Sequence, residues 1–132
     1  MKFLLDTDIC IELIRERDPE LLKALQRQAI GEVRISSVTL AELALGAAKS
    51  RHPQWNLEAL EAFISPLEVL AFDPGAALAY GKIRAERERT GSLIGALDML
   101  IAAQALGAKS ALVTRNVREF SRVRGLRLPD WG

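Results

Sequence analysis

The sequence predicts an α/β protein, a three-layer α/β/α sandwich built on a short, mostly parallel sheet of four to five strands. Short apolar runs of strand length alternate with longer segments of helical spacing along the chain. Two Asp-Pro pairs, which are typical of helix starts, separate such segments. With 132 residues and 49% hydrophobic content, residues 1–132 are expected to form one domain with a substantial core.

Each element follows from a local pattern. Apolar runs predict strands at residues 2–5, 33–36, 69–72 and 111–114, with a short candidate fifth strand at 126–128. Helical spacing follows the first strand, and Asp18-Pro19 begins the next helix. Further helices are expected at about 40–49, from about 57 to 64, from Asp73-Pro74 to about 89, and at 96–106. Loops are expected at 50–55 and 90–95.

Composition excludes several classes of protein. A single cysteine, Cys10, excludes a disulfide framework and indicates a reducing compartment. One cysteine and one histidine, His52, also exclude an ordinary zinc site. The N-terminal apolar run is interrupted at Asp6, so neither a signal peptide nor a membrane span is expected. We therefore predict a cytoplasmic protein that does not associate with membranes.

Charge is balanced overall but uneven along the chain. The net charge is +1, yet residues 109–127 contain six basic residues and only one acid, Glu119. This excess of positive charge has two equally supported interpretations, attraction to phosphate groups and an ordinary solvated surface. The basic residues of 82–89 alternate with Glu86 and Glu88, which is typical of a solvated helix face.

Polar residues follow the predicted strands where each strand ends. In open parallel sheets, ligands bind beyond the carboxyl ends of the strands, at the point where strand order reverses. A functional site is therefore expected at this edge of the sheet. The residues there are Asp6-Thr7-Asp8, Ser36-Ser37, Asp73 and Thr114-Arg115-Asn116.

Four acids are candidates for that site, and each also has a structural interpretation. Asp6 is a candidate helix N-cap, and Glu42 completes a capping-box pattern that begins at Thr39. Asp98 lies in a strongly apolar helix, where an unpaired carboxylate is costly. Glu119 follows the fourth strand, and its structural alternative is a surface ion pair with Arg115 or Arg122.

Taken together, the four acids favour a metal site. If they converge they repel one another, since two like charges about 4 Å apart cost roughly 4 kcal/mol at an effective dielectric constant near 20. A divalent cation removes that cost, and oxygen-only ligands favour Mg²⁺ or Mn²⁺. Such ions lower the pKa of water and stabilise phosphoryl charge, which favours phosphodiester hydrolysis. All four acids, Asp6, Glu42, Asp98 and Glu119, are candidate ligands for such an ion.

Neighbouring polar residues are candidates for positioning a substrate. Thr114, Arg115 and Asn116 follow the fourth strand and are predicted to orient a water molecule or a substrate phosphate. An ordinary turn after a strand is the alternative interpretation. His52 lies in a proline-containing loop and is expected on the surface, without a catalytic role.

The motifs that contain these residues resemble the PIN-domain ribonucleases, and most closely the VapC toxins of bacterial toxin–antitoxin pairs. Four segments in order carry the resemblance: FLLDTDICIELI at 3–14, SSVTLAELALG at 36–46, GALDMLIAAQAL at 95–106, and LVTRNVREF at 112–120 with GLRLPDW at 125–131.

The resemblance implies a PIN-like fold with Asp6, Glu42, Asp98 and Glu119 as catalytic carboxylates around one or two Mg²⁺ or Mn²⁺ ions. It further implies endonucleolytic cleavage of structured RNA such as tRNA, a homodimer, and a VapB-type antitoxin that occupies the site.

The sequence departs from the family pattern at three positions. Asparagine is common in the family where this chain has Asp8, and aspartate is common where it has Glu119. Histidine often occupies the position of Gln104, which lies two turns from Asp98 on the same predicted helix, so its absence is not expected to disable catalysis.

Two other functions are compatible with parts of the pattern. In a haloacid-dehalogenase-type phosphatase, Asp6 would be the nucleophile and Asp8 the acid, but such an enzyme needs a positioned lysine, for which Lys109 is the late candidate. In a receiver-like interaction module, Asp73 and Thr114 would join the Asp6–Asp8 pair, and Glu42 and Asp98 would lie away from Asp6.

Overall fold

Seven helices and four strands alternate along residues 1–131, the part of the chain that the computed structural model describes. Gly132, the last residue of the predicted domain, lies outside the described residues. In chain order the elements are β1 (Phe3–Leu5), α1 (Thr7–Ile14), α2 (Pro19–Gln26), β2 (Val33–Ser36), α3 (Ser37–Ala48), α4 (Pro53–Ile64), β3 (Glu68–Leu70), α5 (Pro74–Thr90), α6 (Ala96–Gly107), β4 (Ala111–Val113) and α7 (Val117–Phe120).

The sheet is parallel throughout, in the order β3-β2-β1-β4. Strand β1 is central: Phe3 pairs with Val33 on one side and with Ala111 on the other. Strands β2 and β3 therefore lie in sequence order on one side of β1, and β4 lies on its other side. That reversal places Asp6, directly after β1, at the switch point where open α/β sheets bind ligands.

Alternating strand residues face two separate cores, which confirms the three-layer prediction. Leu4 and Leu112 are fully buried against α5, α6 and the segment after α7. Leu5 and Ile35, also fully buried, face the opposite side against α1 to α4. Since the sheet is covered on both faces, its edge at the carboxyl ends of the strands is the part available to a ligand.

Several boundaries differ from those predicted. Helix α3 begins at Ser37 rather than near 40, because the Ser36 hydroxyl caps it by accepting a hydrogen bond from Val38 N at 3.0 Å. Helix α4 begins at Pro53, inside the predicted loop, and β3 ends at Leu70, since Phe72 N donates to the Ser37 hydroxyl instead of a strand.

The candidate fifth strand does not form within residues 1–131. Only one backbone bond, from Leu112 N to Arg127 O at 2.8 Å, joins the 126–128 segment to β4. Gly125 turns the chain before this segment with φ +83°, and Pro129 after it has no N–H to donate. The sheet therefore ends at β4. Among residues 1–131, none of the helices combines the length and apolar character needed to cross a bilayer.

A buried arginine closes the end of the sheet opposite the candidate site. Arg34 of β2 is 6% exposed, and its guanidinium donates to Ala108 O and to the Ser110 hydroxyl, just beyond the C-terminus of α6. A cation at that helix end is favoured by the helix dipole.

We predict that Arg34→Ala lowers the free energy of unfolding by about 2–4 kcal/mol, because it leaves a void and two acceptors without their donor. Urea unfolding measures the change, and Arg34→Lys, which keeps the charge and most of the volume, should lose less. Equal losses for the two variants would contradict this account.

Candidate active site

Asp6 links β1, α1 and β4. Its Oδ1 accepts a hydrogen bond from Ile9 N at 2.9 Å and caps α1, as its structural interpretation predicted. Its Oδ2 accepts a 2.5 Å bond from the Thr114 hydroxyl at the end of β4. Asp6 is 4% exposed, and this burial raises its pKa; the Thr114 and Ile9 bonds partly offset the shift, and the charges of Asp8 and Glu42 add to it.

Glu42 contacts α1 from α3. Its Oε1 accepts a 2.6 Å hydrogen bond from the hydroxyl of Thr7, the residue between the two N-terminal aspartates. The capping-box interpretation of Glu42 was wrong, because Ser36 caps α3 and Glu42 lies beyond the first turn. The side chain therefore joins the edge that Asp6 occupies.

Asp98 lies in the first turn of α6 and is partly buried. Burial, followed by the charges of Glu119, Asp6, Asp8 and Glu42, raises its pKa to about 6. Among residues 1–131, no side chain or backbone N–H is placed to donate to its carboxylate within hydrogen-bond distance. Among the four candidate acids, Asp98 is thus the one whose carboxylate accepts no hydrogen bond within residues 1–131.

Glu119 of α7 is held against the start of α6. Its Oε1 accepts from Gly95 N at 3.0 Å, and its Oε2 accepts from Asn116 Nδ2 at 2.6 Å. These two bonds, with the charge of Arg122, lower its pKa. The predicted alternative pairing with Arg115 was wrong, because the Arg115 guanidinium binds Asp18 at the N-terminus of α2.

The structure brings all four predicted acids, together with Asp8, to one edge of the sheet. Their mutual influence is explicit in the raised pKa of Asp98, which responds to each of the other carboxylates. Within residues 1–131, the side chains as placed do not form a ready set of three ligands around one point.

Asp6, Glu42 and Glu119 also accept hydrogen bonds from protein donors, and each of these carboxylates keeps further lone pairs with which it could bind a cation. The atoms available to bind a cation are all hard carboxylate oxygens, and the charges of the neighbouring carboxylates raise the pKa of Asp98. These oxygens fit a divalent cation such as Mg²⁺ or Mn²⁺ in chemistry and charge.

The contacts of two supporting residues, Thr7 and Gln104, could not be identified from the sequence. Thr7 has no distinguishing signal within the Asp-Thr-Asp motif, because its bond to Glu42 depends on how α1 and α3 pack. Gln104, 2% exposed, accepts from the Ser36 hydroxyl at 2.9 Å and donates to Ala71 O at 3.2 Å. It thereby connects the helix of Asp98 to the start of the helix of Glu42.

Thr114 and Asn116, predicted to position substrate, contact the acids directly. The Thr114 hydroxyl donates to Asp6 and accepts from Asn116 N at 3.0 Å, and Asn116 donates to Glu119. These bonds fix the directions in which the two carboxylates present their oxygens. Arg115 instead forms an ion pair with Asp18, the residue that caps α2.

We predict that Thr114→Val weakens Mn²⁺ binding by about 10–100-fold, because the hydrogen bond that orients Asp6 and lowers its pKa is lost. Titration calorimetry with Mn²⁺ measures the change, and Thr114→Ser, which keeps the hydroxyl, is the control. Unchanged affinity in the valine variant would show that the Thr114 bond does not prepare Asp6 for a cation.

The two alternative functions are not favoured by this geometry. A receiver-like module requires Glu42 and Asp98 to lie away from Asp6, whereas the charges of Asp6 and Glu42 both raise the pKa of Asp98. A dehalogenase-type phosphatase requires a lysine beside its nucleophile. Lys109 precedes β4 and so lies at the opposite edge of this parallel sheet.

Comparisons of this chain with a family model, with curated proteins and with solved structures all indicate the same family. The sequence model of the PIN domain matches residues 3–126. The chain is 44% identical to the tRNA(fMet)-specific endonuclease VapC of Shigella flexneri, over 99% of this chain and 98% of that protein.

Two solved structures are also similar over nearly the whole of both chains. DNA-bound VapBC from Salmonella typhimurium superposes with a TM-score of 0.94 at 42% identity, covering 100% of this chain and 99% of that one. VapBC2 from Rickettsia felis, bound to a promoter DNA fragment, gives 0.91 at 34% identity with complete coverage of both chains, 100% each. The chain therefore belongs to the PIN-domain family and, within it, to the VapC ribonucleases.

Proposed function

We propose that this protein is a Mg²⁺- or Mn²⁺-dependent endoribonuclease toxin that cleaves structured RNA, with tRNA as the substrate class. The observation that carries the proposal is the gathering of Asp6, Glu42, Asp98 and Glu119 at the switch-point edge of the sheet, where burial, followed by the charges of the neighbouring acids, raises the pKa of Asp98 to about 6. The tRNA specificity follows the Shigella flexneri relative, which is named for cleavage of tRNA(fMet). Such a substrate places the activity in the cytoplasm.

The four acids have distinct parts in the proposed reaction. Asp6 and Asp98 hold the divalent cation, since they are the acids whose charged forms the fold most disfavours in the free protein. Glu42 and Glu119 complete or tune the site from α3 and α7. When bound, a divalent cation lowers the pKa of water and stabilises negative charge on a phosphoryl group.

The neighbouring polar residues orient the acids and the RNA. Thr114 fixes Asp6, and Asn116 fixes Glu119, so both residues act on the geometry of the site through the carboxylates they contact. Arg115 is about half exposed even in its ion pair with Asp18, which leaves part of its guanidinium for an incoming RNA strand.

The proposed partner is a VapB-type antitoxin. The Salmonella typhimurium and Rickettsia felis relatives were solved as VapBC complexes. A cleft of about 180 Å³ between α1, α3 and α4 is lined by Ile11, Ile14 and Leu43 and reaches Glu42. We propose that an antitoxin segment with apolar side chains occupies this cleft and blocks access to the acids. We also propose a homodimer, which light scattering of the purified chain tests.

The function is tested by mapping RNA ends. Purified protein is incubated with total tRNA in Mg²⁺, in Mn²⁺ and in excess chelator, and new 5′ ends are sequenced. We expect discrete internal cuts that require the metal and disappear when the antitoxin is added. Undiminished cleavage in chelator, or hydrolysis of simple phosphomonoesters through a trapped phosphoaspartate, would overturn the proposal.

A further inference from the structure

A cleft of about 450 Å³ opens beside the acids and is not used by the proposed metal site. Its apolar walls come from five parts of the chain: α1, α2, the end of β4, the start of α7 and the segment 128–131. Ile9, Leu21 and Val113 are nearly fully buried and form its floor, whereas Val117 is about half exposed at its rim. This volume falls in the range of pockets that enclose small ring-containing ligands.

The cleft is continuous with the catalytic edge. Ile9 and Thr114 line it, and these are the two residues that hydrogen-bond the Asp6 carboxylate, Ile9 through its backbone N–H and Thr114 through its hydroxyl. A group seated in the cleft is therefore separated from Asp6 by a single layer of residues. If a phosphodiester lies at the acids, an adjacent nucleotide is therefore the part of the RNA strand best placed to reach the cleft.

The charges around the cleft favour a neutral occupant. Its lining contains one cation, Arg115, and one carboxylate, Asp130, and Arg115 is already paired with Asp18. A phosphate would gain little from this balanced lining, since a phosphate site is expected to carry excess positive charge. A nucleobase is uncharged, has two apolar faces and carries hydrogen-bonding groups on its edge, which matches an apolar floor with a polar rim.

We propose that this cleft is a base subsite, which holds one unpaired nucleobase next to the phosphodiester bond that is cleaved. The proposal rests on the proposed ribonuclease function and adds the part of the RNA that the enzyme recognises outside the metal site. Arg115, about half exposed in its ion pair with Asp18, supplies hydrogen-bond donors at the rim, and the floor of Ile9, Leu21 and Val113 excludes water from the faces of the base. The subsite thus requires a loop or an unstacked end, because a base within a duplex cannot enter it.

An abasic scan tests the subsite. An RNA that contains the mapped cleavage site is synthesised with a single abasic ribonucleotide at each position flanking the cut, and kcat/KM is measured in Mg²⁺ for each. We expect one position at which loss of the base lowers kcat/KM by about 10-fold or more, the size of effect seen when one seated base is lost. Equal cleavage of the whole abasic series would overturn the subsite while leaving metal-dependent cleavage, and so the proposed function, intact.

Substitutions that fill the cleft test whether the residues lining it are responsible for the dependence of kcat/KM on that base. Val117→Trp and Leu128→Trp place an indole into the cleft from two different segments. For the intact RNA, each variant should have about the kcat/KM that wild type has for the sensitive abasic RNA. Removing the base should not lower kcat/KM of the variants further.

Leu78→Trp is the matched control, because Leu78 is an exposed leucine that lines a different cleft, on α5. It should behave as wild type, and thermal melting confirms that each variant is folded. Full base sensitivity retained in both folded cleft variants would overturn the assignment of the cleft. Absence of metal-dependent cleavage of intact RNA by wild type would overturn the proposed function and the subsite together.

Discussion

Asp98→Asn is expected to lower Mg²⁺-dependent RNA cleavage by at least about 100-fold, more than is usual for a residue that only supports a ligand, and to raise the melting temperature of the metal-free protein. Both effects have one cause. Asp98 is charged at neutral pH only against burial and the fields of Glu119, Asp6, Asp8 and Glu42. The asparagine removes that unfavourable charge and, with it, the ligand needed for a cation.

Parallel measurements on one preparation check both parts. Cleavage rates are taken in saturating Mg²⁺, and melting curves are recorded in excess chelator. Glu88→Gln is the matched control, because it also neutralises one carboxylate but lies on the exposed face of α5, paired with Arg84. The control should change neither quantity appreciably. An Asp98→Asn protein that cuts RNA at the wild-type rate would remove Asp98 from the site.

The second large effect is a pH-dependent instability that a divalent metal relieves. Because the folded-state pKa of Asp98 is about 6, above its ordinary value of 3.8, its protonated form favours the folded state. The associated stability is fully present below about pH 4 and is lost as the pH rises through 6. Burial raises the pKa of Asp6 in the same direction, so the two acids act together.

The difference between wild type and Asp98→Asn isolates this effect from other titrations. Glu119 and Asp18 have lowered pKa values, and the stability they provide is lost only at lower pH, as they become protonated. In urea unfolding in chelator from pH 5 to 7.5, the free energy of unfolding of Asp98→Asn should increase relative to that of wild type as the pH rises. Mg²⁺ at about 100 times its dissociation constant should raise the free energy of unfolding of wild type by about 2.7 kcal/mol and leave that of Asp98→Asn unchanged. A difference that is independent of pH would contradict the raised pKa.

Local chemistry made most of the fold predictable. Strand β2 has the predicted bounds, and the caps at Asp18 and Asp73 begin α2 and α5 because an Asp side chain and a following proline specify a helix start without tertiary help. The start of α3 was misplaced because Ser36 and Thr39 are equally plausible caps in sequence. Only the structure selects Ser36, through its position at the end of β2.

The convergence of the candidate acids at one edge was predictable, but their hydrogen-bond partners were not. Asp6, Asp98 and Glu119 were identifiable because each follows a strand or begins a helix, so the order of elements places them on one edge. The partner of Arg115 was not, since its bond to Asp18 joins residues 97 positions apart in the chain. Contacts of this kind depend on how helices pack on the sheet, and no periodicity in the sequence encodes them.

The buried amide of Gln104 has a consequence for how this enzyme tolerates change. By bonding both Ser36 and Ala71, it fastens the helix that carries Asp98 to the beginning of the helix that carries Glu42. Heating or a core substitution that loosens this junction would misalign the acids while the chain is still folded. Thermal inactivation should therefore precede unfolding, and engineered gains in robustness will depend on keeping this junction rigid.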